Sequence, residues 1–174
     1  MKRNKWMGMV FTAALVATVL GCSADNSASG PTPSGEPDFG LVSNLQKKLM
    51  KCIPTGSAYS GSTIGPNGGT IRVGKHKLDI PRGALNRSVF ISMTMSADTT
   101  NSVQLQPEGL VFAAPVTLTL DYGNCSGLGM LLPKAIAYTD NQFHILQLLT
   151  SLDDKVGKKV SARLQHFSRY AVAY

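Results

Sequence analysis

From Pro54 to Tyr174 the chain is cut into short pieces by Gly, Pro, Asn and Asp, and that punctuation constrains the fold more than anything else in it. The pieces read TIRV, HKLDI, VFISMTM, SVQLQ, PVTLTLDY, AIAYT, FHILQLL, KKVSARLQ and RYAVAY. Each is rich in β-branched or alternating apolar residues, the pattern of a strand with one face buried. No capped helical stretch interrupts them, and no internal repeat is visible. Many short strands at close spacing, without helices between them, predict an all-β fold: an antiparallel β-sandwich of two packed sheets spanning 53–174.

The amino end has a different character. Lys2, Arg3 and Lys5 precede an apolar run from Trp6 to Leu20, shorter than the roughly 20 residues that a membrane-crossing helix needs. A charged start, a short apolar stretch and small residues before a boundary are the marks of a secretory signal peptide over 1–21. The boundary Val19-Leu20-Gly21-Cys22 resembles the lipobox of bacterial lipoproteins, although Leu20 is bulkier than the usual occupant. That resemblance implies cleavage before Cys22, lipidation of its thiol and acylation of the new amino terminus. More than one acyl chain gives stable attachment, since each buried methylene contributes about 0.8 kcal/mol. Ser23 stands where an inner-membrane lipoprotein would carry aspartate, so the expected location is the bacterial outer membrane, with the inner membrane and the cell surface as alternatives.

Residues 22–40 include SADNSASGPTPSGEPDFG, a Ser-, Gly- and Pro-rich stretch that reads as a flexible, disordered linker. As a coil it spans about 23 Å, enough to hold a domain clear of the headgroups. Over 41–52, Leu41, Val42, Leu45 and Leu49 recur at helical spacing and predict a short amphipathic helix.

The formal charge of +7 belongs to the whole chain, and three of its cations lie in the signal peptide. The others are scattered, with no basic stripe interleaved with aromatics, which argues against a nucleic-acid partner. With Cys22 assigned to lipid, Cys52 and Cys125 remain as candidates for a disulfide in an oxidising compartment. Their spacing is not that of a zinc site. His76, His144 and His166 have no second ligand at metal-binding distance in sequence, so no metal and no cofactor is expected. GTIRVGKH approaches a phosphate-binding loop through Gly69, Gly74 and Lys75. His76, however, replaces the hydroxyl residue, and a strand follows where a helix should begin, so it reads as a hairpin and no nucleotide is expected. Asp153-Asp154 before KVGKK reads as another hairpin turn.

GPNGGTIRVGKHKLDIPRGAL, then VFISMTM, then QPEGLVFAAPVTLTLDY resemble the ZU-five domain of zonula occludens proteins, ankyrins and netrin receptors. The resemblance covers about residues 64–174. It rests on Gly68-Gly69, Ile80-Pro81, Gly83-Ala84-Leu85, Pro107, Gly109, Phe112 and Pro115-Val116, with HFSRYAVAY resembling the closing strand. It implies a β-sandwich used for protein contact, here with an envelope protein or polymer, and it places Phe112 and Val116 in the core.

Some relatives of that type cut themselves within a His-Phe-Ser triplet. Carried over, Ser168 would attack the Phe167 carbonyl with His166 as base. In a straight strand His166 and Ser168 share a face but stand about 6.6 Å apart, beyond hydrogen-bond reach, unless a bulge closes the gap. The expectation is therefore a non-catalytic interaction module, with self-cleavage between Phe167 and Ser168 as one alternative. A carbohydrate-binding module is the other, resting on Tyr59, Tyr122, Tyr138, Tyr170 and Tyr174, because the only tryptophan, Trp6, leaves with the signal.

Overall fold

The computed structural model describes residues 48–174. The signal peptide, Cys22, the linker and the first part of the expected helix, 41–47, lie outside them. Eleven strands follow in chain order: β1 (Ala58–Ile64), β2 (Gly69–Val73), β3 (His76–Ile80), β4 (Val89–Met95), β5 (Ser102–Gln106), β6 (Val111–Asp121), β7 (Ala135–Thr139), β8 (Ile145–Leu148), β9 (Ser151–Asp154), β10 (Lys159–His166) and β11 (Arg169–Ala173). One sheet has the order β1-β4-β5-β11-β7-β8 and the other β2-β3-β6-β10-β9, and every pairing between strands is antiparallel. The two sheets pack face to face as a β-sandwich. Hairpins β2–β3, β4–β5, β7–β8 and β9–β10 stay within a sheet, while the links between them cross to the other.

Alternation explains which face is buried. In β6, Val116, Leu118 and Leu120 are inside, and in β10 Val160, Ala162 and Leu164 face them from the neighbouring strand. The opposite sheet contributes Ile91, Met93, Val103, Leu105, Ile136 and Val172. At about 1.5–3 kcal/mol for each fully buried large apolar side chain, this layer is what makes the two-sheet arrangement stable. Glycine matters at one crossing. Gly68 has φ 76°, and a Cβ there would collide with the Ile80 carbonyl, so the β3 end packs directly on the approach to β2.

The helix expected over 41–52 is not present in its described part. Lys48–Cys52 runs extended: Leu49 pairs with Ala173, Lys51 with Thr100 and Cys52 with Cys125. Met50 and Cys52 are buried while Lys51 is exposed, a two-residue alternation that the apolar spacing also allowed. The Asp153-Asp154 pair is likewise not a turn but the end of β9, and the turn itself is Lys155–Lys158, with Lys158 at φ 51°. GTIRVGKH does form a hairpin, β2–β3, turning at Gly74-Lys75.

Candidate functional site

Two of the links between sheets meet at one end of the sandwich. The β5–β6 link carries Pro107-Glu108-Gly109-Leu110, and the β10–β11 link is Phe167-Ser168. The Phe167 N–H donates to the Leu110 carbonyl at 3.0 Å, and the Gly109 N–H donates to the Phe167 carbonyl at 2.9 Å. Ser168 offers its carbonyl to the Leu105 N–H at 3.0 Å. The triplet is therefore not part of one straight strand: His166 ends a strand in one sheet and Arg169 begins a strand in the other. Phe167 is fully buried and meets Phe112 edge-on with ring centroids 4.8 Å apart. β10 also shifts register against β6 between Leu164 and His166, which frees the chain to turn.

His166 points toward two tyrosines. Its ring stands edge-on to Tyr138 at 5.1 Å between centroids, and its Nδ1 is 3.5 Å from the Tyr170 hydroxyl. That hydroxyl donates to the His166 carbonyl at 2.8 Å. Burial, with Tyr138 beside it, pushes the Tyr170 phenol well above its ordinary pKa, so it stays a donor at neutral pH. The side-chain hydrogen bond of His166 among the described residues is thus to Tyr170, and Ser168 is not part of it.

Beside this cluster lies a groove of about 760 Å³, bordered by Gln147, Leu149, Leu152, Arg163, His166 and Tyr170. Two sheet edges flank it. β8 is the outer strand of its sheet, and β10 pairs with β9 only as far as Ala162, leaving Arg163–His166 unpaired on that side. Leu152 is largely exposed at its margin.

At the opposite end Cys52 and Cys125 form a disulfide across an antiparallel bridge, with Cα atoms 3.9 Å apart. His76 is buried next to it. The Asp121 N–H donates to His76 Nδ1 at 3.1 Å, and Asn101 Nδ2 donates to the Asp121 carbonyl at 2.9 Å. Burial lowers the His76 pKa and the nearby Asp121 carboxylate opposes it only in part, so the ring is neutral at pH 7. His76 shares its parity with Leu78 and Ile80, all three buried, so the alternation of β3 could have placed it inside.

A third cluster links the sheets along one side. The Tyr122 hydroxyl donates to Asp153 at 2.6 Å, and Asp153 also accepts the Lys134 N–H at 3.0 Å. Burial first, and Asp153 second, raise the Tyr122 pKa well above its ordinary value. The buried Lys134 ammonium lies 5.3 Å from the Tyr122 ring centroid and donates to the carbonyls of Met130 and Leu132. Nothing in sequence spacing signalled this cluster, because its members come from three separate segments.

The three histidines are not brought together. His76 opens β3 at the disulfide end, His144 sits exposed with Nδ1 2.7 Å from Asp140, and His166 ends β10. Among the described residues no group of three His, Cys, Asp or Glu side chains is placed to hold a metal ion. Of the five tyrosines, Tyr122 and Tyr170 are buried and only Tyr59 is exposed. Tyr59 and the exposed Phe90 close over Gly61, where an added Cβ would meet the Phe90 ring at 2.7 Å and the Tyr59 hydroxyl at 2.9 Å. This is a pair, not the row of aromatics a sugar-binding face would show. No family model and no curated protein sequence matches the chain.

Proposed function

We propose that the protein is an exported, lipid-anchored bacterial envelope protein whose ZU-five-like β-sandwich binds another envelope component through the groove beside His166 and Tyr170. The observation that carries this reading is the groove itself, a cleft of about 760 Å³ between two unpaired sheet edges. Exposed edges accept an extended segment by strand addition, main-chain hydrogen bonds giving affinity and side-chain pockets selectivity. The buried disulfide supports export, because such bonds persist in oxidising compartments. No helix among the described residues is long and apolar enough to cross a membrane, and the resemblance at Cys22 supplies the attachment.

Two measurements test the two halves. Metabolic labelling with palmitate should mark the wild type and not Cys22→Ala; labelling that persists in the variant removes the anchor. A photo-crosslinking residue at Gln147, in the groove, should trap one envelope component, whereas the same residue at Tyr59 on the far sheet edge should not. Equal trapping at both positions refutes the groove.

A second reading is supported by one contact. The Gly109 N–H holds the Phe167 carbonyl at 2.9 Å, in the position of a donor to an oxyanion. Attack there by the Ser168 hydroxyl would move the acyl group from nitrogen to oxygen, and water would hydrolyse the resulting ester. His166 engaged with Tyr170 argues against it, since Ser168 then lacks its base. Intact mass after denaturation decides: a species lighter by residues 168–174, absent in Ser168→Ala, makes the protein self-cleaving.

A further inference from the structure

Exposed leucines gather at the disulfide end, on a loop that the groove reading leaves unused. The β6–β7 link contains one 3₁₀ turn, Leu128–Leu131, and in such a turn residues three apart eclipse one another. Leu128 and Leu131 therefore share a side. They are 83% and 77% exposed, and Leu132 follows at 39%. Between them Gly129 and Met130 pack inward: a Cβ at Gly129 would meet the Tyr174 ring at 2.7 Å, and Met130 lies against the core. The loop is also fastened at both ends, by the Cys52–Cys125 bond and by the Lys134 ammonium on the Met130 and Leu132 carbonyls. Single exposed apolar side chains are ordinary, but three held outward on one braced turn mark a contact surface.

The neighbouring β9–β10 turn adds to it. That turn is tied to the β6–β7 link by the Lys134 N–H on Asp153 and the Tyr122 N–H on the Lys158 carbonyl, and it carries Val156, 96% exposed. The same end is basic. Among the described residues it exposes Lys48, Lys51, Lys75, Lys155, Lys158 and Lys159, against Asp98 and Asp154 as exposed acidic side chains.

The point where the chain enters says what this surface meets. The Lys48 N–H donates to the Tyr174 carbonyl at 3.1 Å, and the Tyr174 N–H returns to the Lys48 carbonyl at 3.0 Å. Tyr174 is also the residue whose ring lies against Gly129. Everything amino-terminal to Lys48, Cys22 included, thus joins the sandwich beside the leucine turn. Cys22 is 26 residues before Lys48, and a flexible chain of that length spans about 28 Å. Apolar side chains ringed by ammonium groups suit an anionic bilayer, where leucines enter the acyl boundary and lysines stay at the phosphates. A second copy fits less well, because a twofold contact would set the lysines against one another. We infer that the disulfide end rests on an anionic phospholipid surface, with Leu128 and Leu131 inserted at its boundary. The inference rests on the anchor at Cys22, and it leaves the groove beside His166, at the far end, clear of the membrane.

The test places the full chain in vesicles containing brominated phospholipid and phosphatidylglycerol. Trp6→Phe removes the one natural tryptophan, and a single new one is introduced by Leu131→Trp or by Val111→Trp. Both positions are exposed, and Val111 begins β6 at the opposite end, so the melting temperature should hold in each. The probe at position 131 should be quenched several-fold more strongly than the probe at 111. Its quenching should fall several-fold when phosphatidylcholine replaces phosphatidylglycerol. Equal quenching at the two positions, or none at 131, in protein whose intact mass shows the acyl chains overturns the inference and leaves the anchor standing. Quenching at 131 in protein without acyl chains overturns the anchor and keeps the surface. Equal quenching on the two lipids overturns the anionic assignment. Shielding of the probe at 131 by raised protein concentration alone, without lipid, gives the patch to a second copy and overturns the inference as well.

Discussion

The two ends of the sandwich solve the same problem, fastening loops over an open core, with opposite chemistry. At the disulfide end the fasteners are covalent and polar: the Cys52–Cys125 bond, His76 against the Asp121 backbone, and Asn101 reaching across to Asp121. At the sheet-crossing end they are apolar and main-chain: Phe167 on Phe112, and backbone bonds tying Phe167 and Ser168 to the β5–β6 link. The polar end leaves Asn101 Oδ1 without a protein partner and borders an open pocket. The apolar end opens a groove where pairing of β9 with β10 stops. Buried polar atoms without a protein partner occur toward both: Asn101 Oδ1 at the disulfide end, and Gln104 Oε1, Thr139 Oγ1 and Arg169 Nε in three registered residues beside the sheet crossing.

The comparison breaks most sharply at Phe167. Phe167→Ala removes a fully buried ring from the apolar end and should cost about 4 kcal/mol in urea unfolding. A loss under about 1 kcal/mol would mean that this end is held by its backbone bonds and not by packing. Replacing Cys52 and Cys125 together by Ala should cost about 3 kcal/mol, since the bond closes a sequence separation of 73 residues. Crossing the two sets of variants sharpens the contrast: the losses should add, because the sites lie at opposite ends. Tyr170→Phe should cost about 1 kcal/mol by leaving the His166 carbonyl without its 2.8 Å donor.

The smallest effect is a pH dependence. His76 has a folded pKa below its unfolded value near 6.5, so the unfolded chain binds the proton more readily. Its contribution is constant where both forms are neutral, above about pH 7, and stability should fall as pH drops through 6.5 toward the lower folded pKa. Urea midpoints between pH 7 and pH 5 should decline in the wild type and decline less in His76→Gln. Identical slopes would show that the ring titrates as freely in the fold as in water.

Much of the architecture was legible because a half-buried strand writes its alternation into the sequence. HKLDI, VFISMTM and KKVSARLQ are β3, β4 and most of β10, and the pattern points the right residues inward. Two strands were not legible. AYSGSTI, β1, has Ser and Gly where a strand would carry branched residues, and is held by seven consecutive pairings to β4. SLDD, β9, is a polar edge strand lying against β10. Residues 48–52 misled because two turns of helix and a few residues of strand share the same apolar spacing over so short a window. The geometry of His166-Phe167-Ser168 was out of reach for another reason: whether a chain turns between sheets at a given residue depends on partners such as Gly109 and Leu110, more than 50 residues away in sequence.

The place of β11 has a further consequence. It follows every other strand along the chain and yet lies in the interior of its sheet, joining β1-β4-β5 on one side to β7-β8 on the other. Before it arrives, those two groups have no common neighbour in that layer. A chain that emerges amino end first therefore holds two unjoined half-sheets in this layer until β11, its last strand, pairs with both β5 and β7.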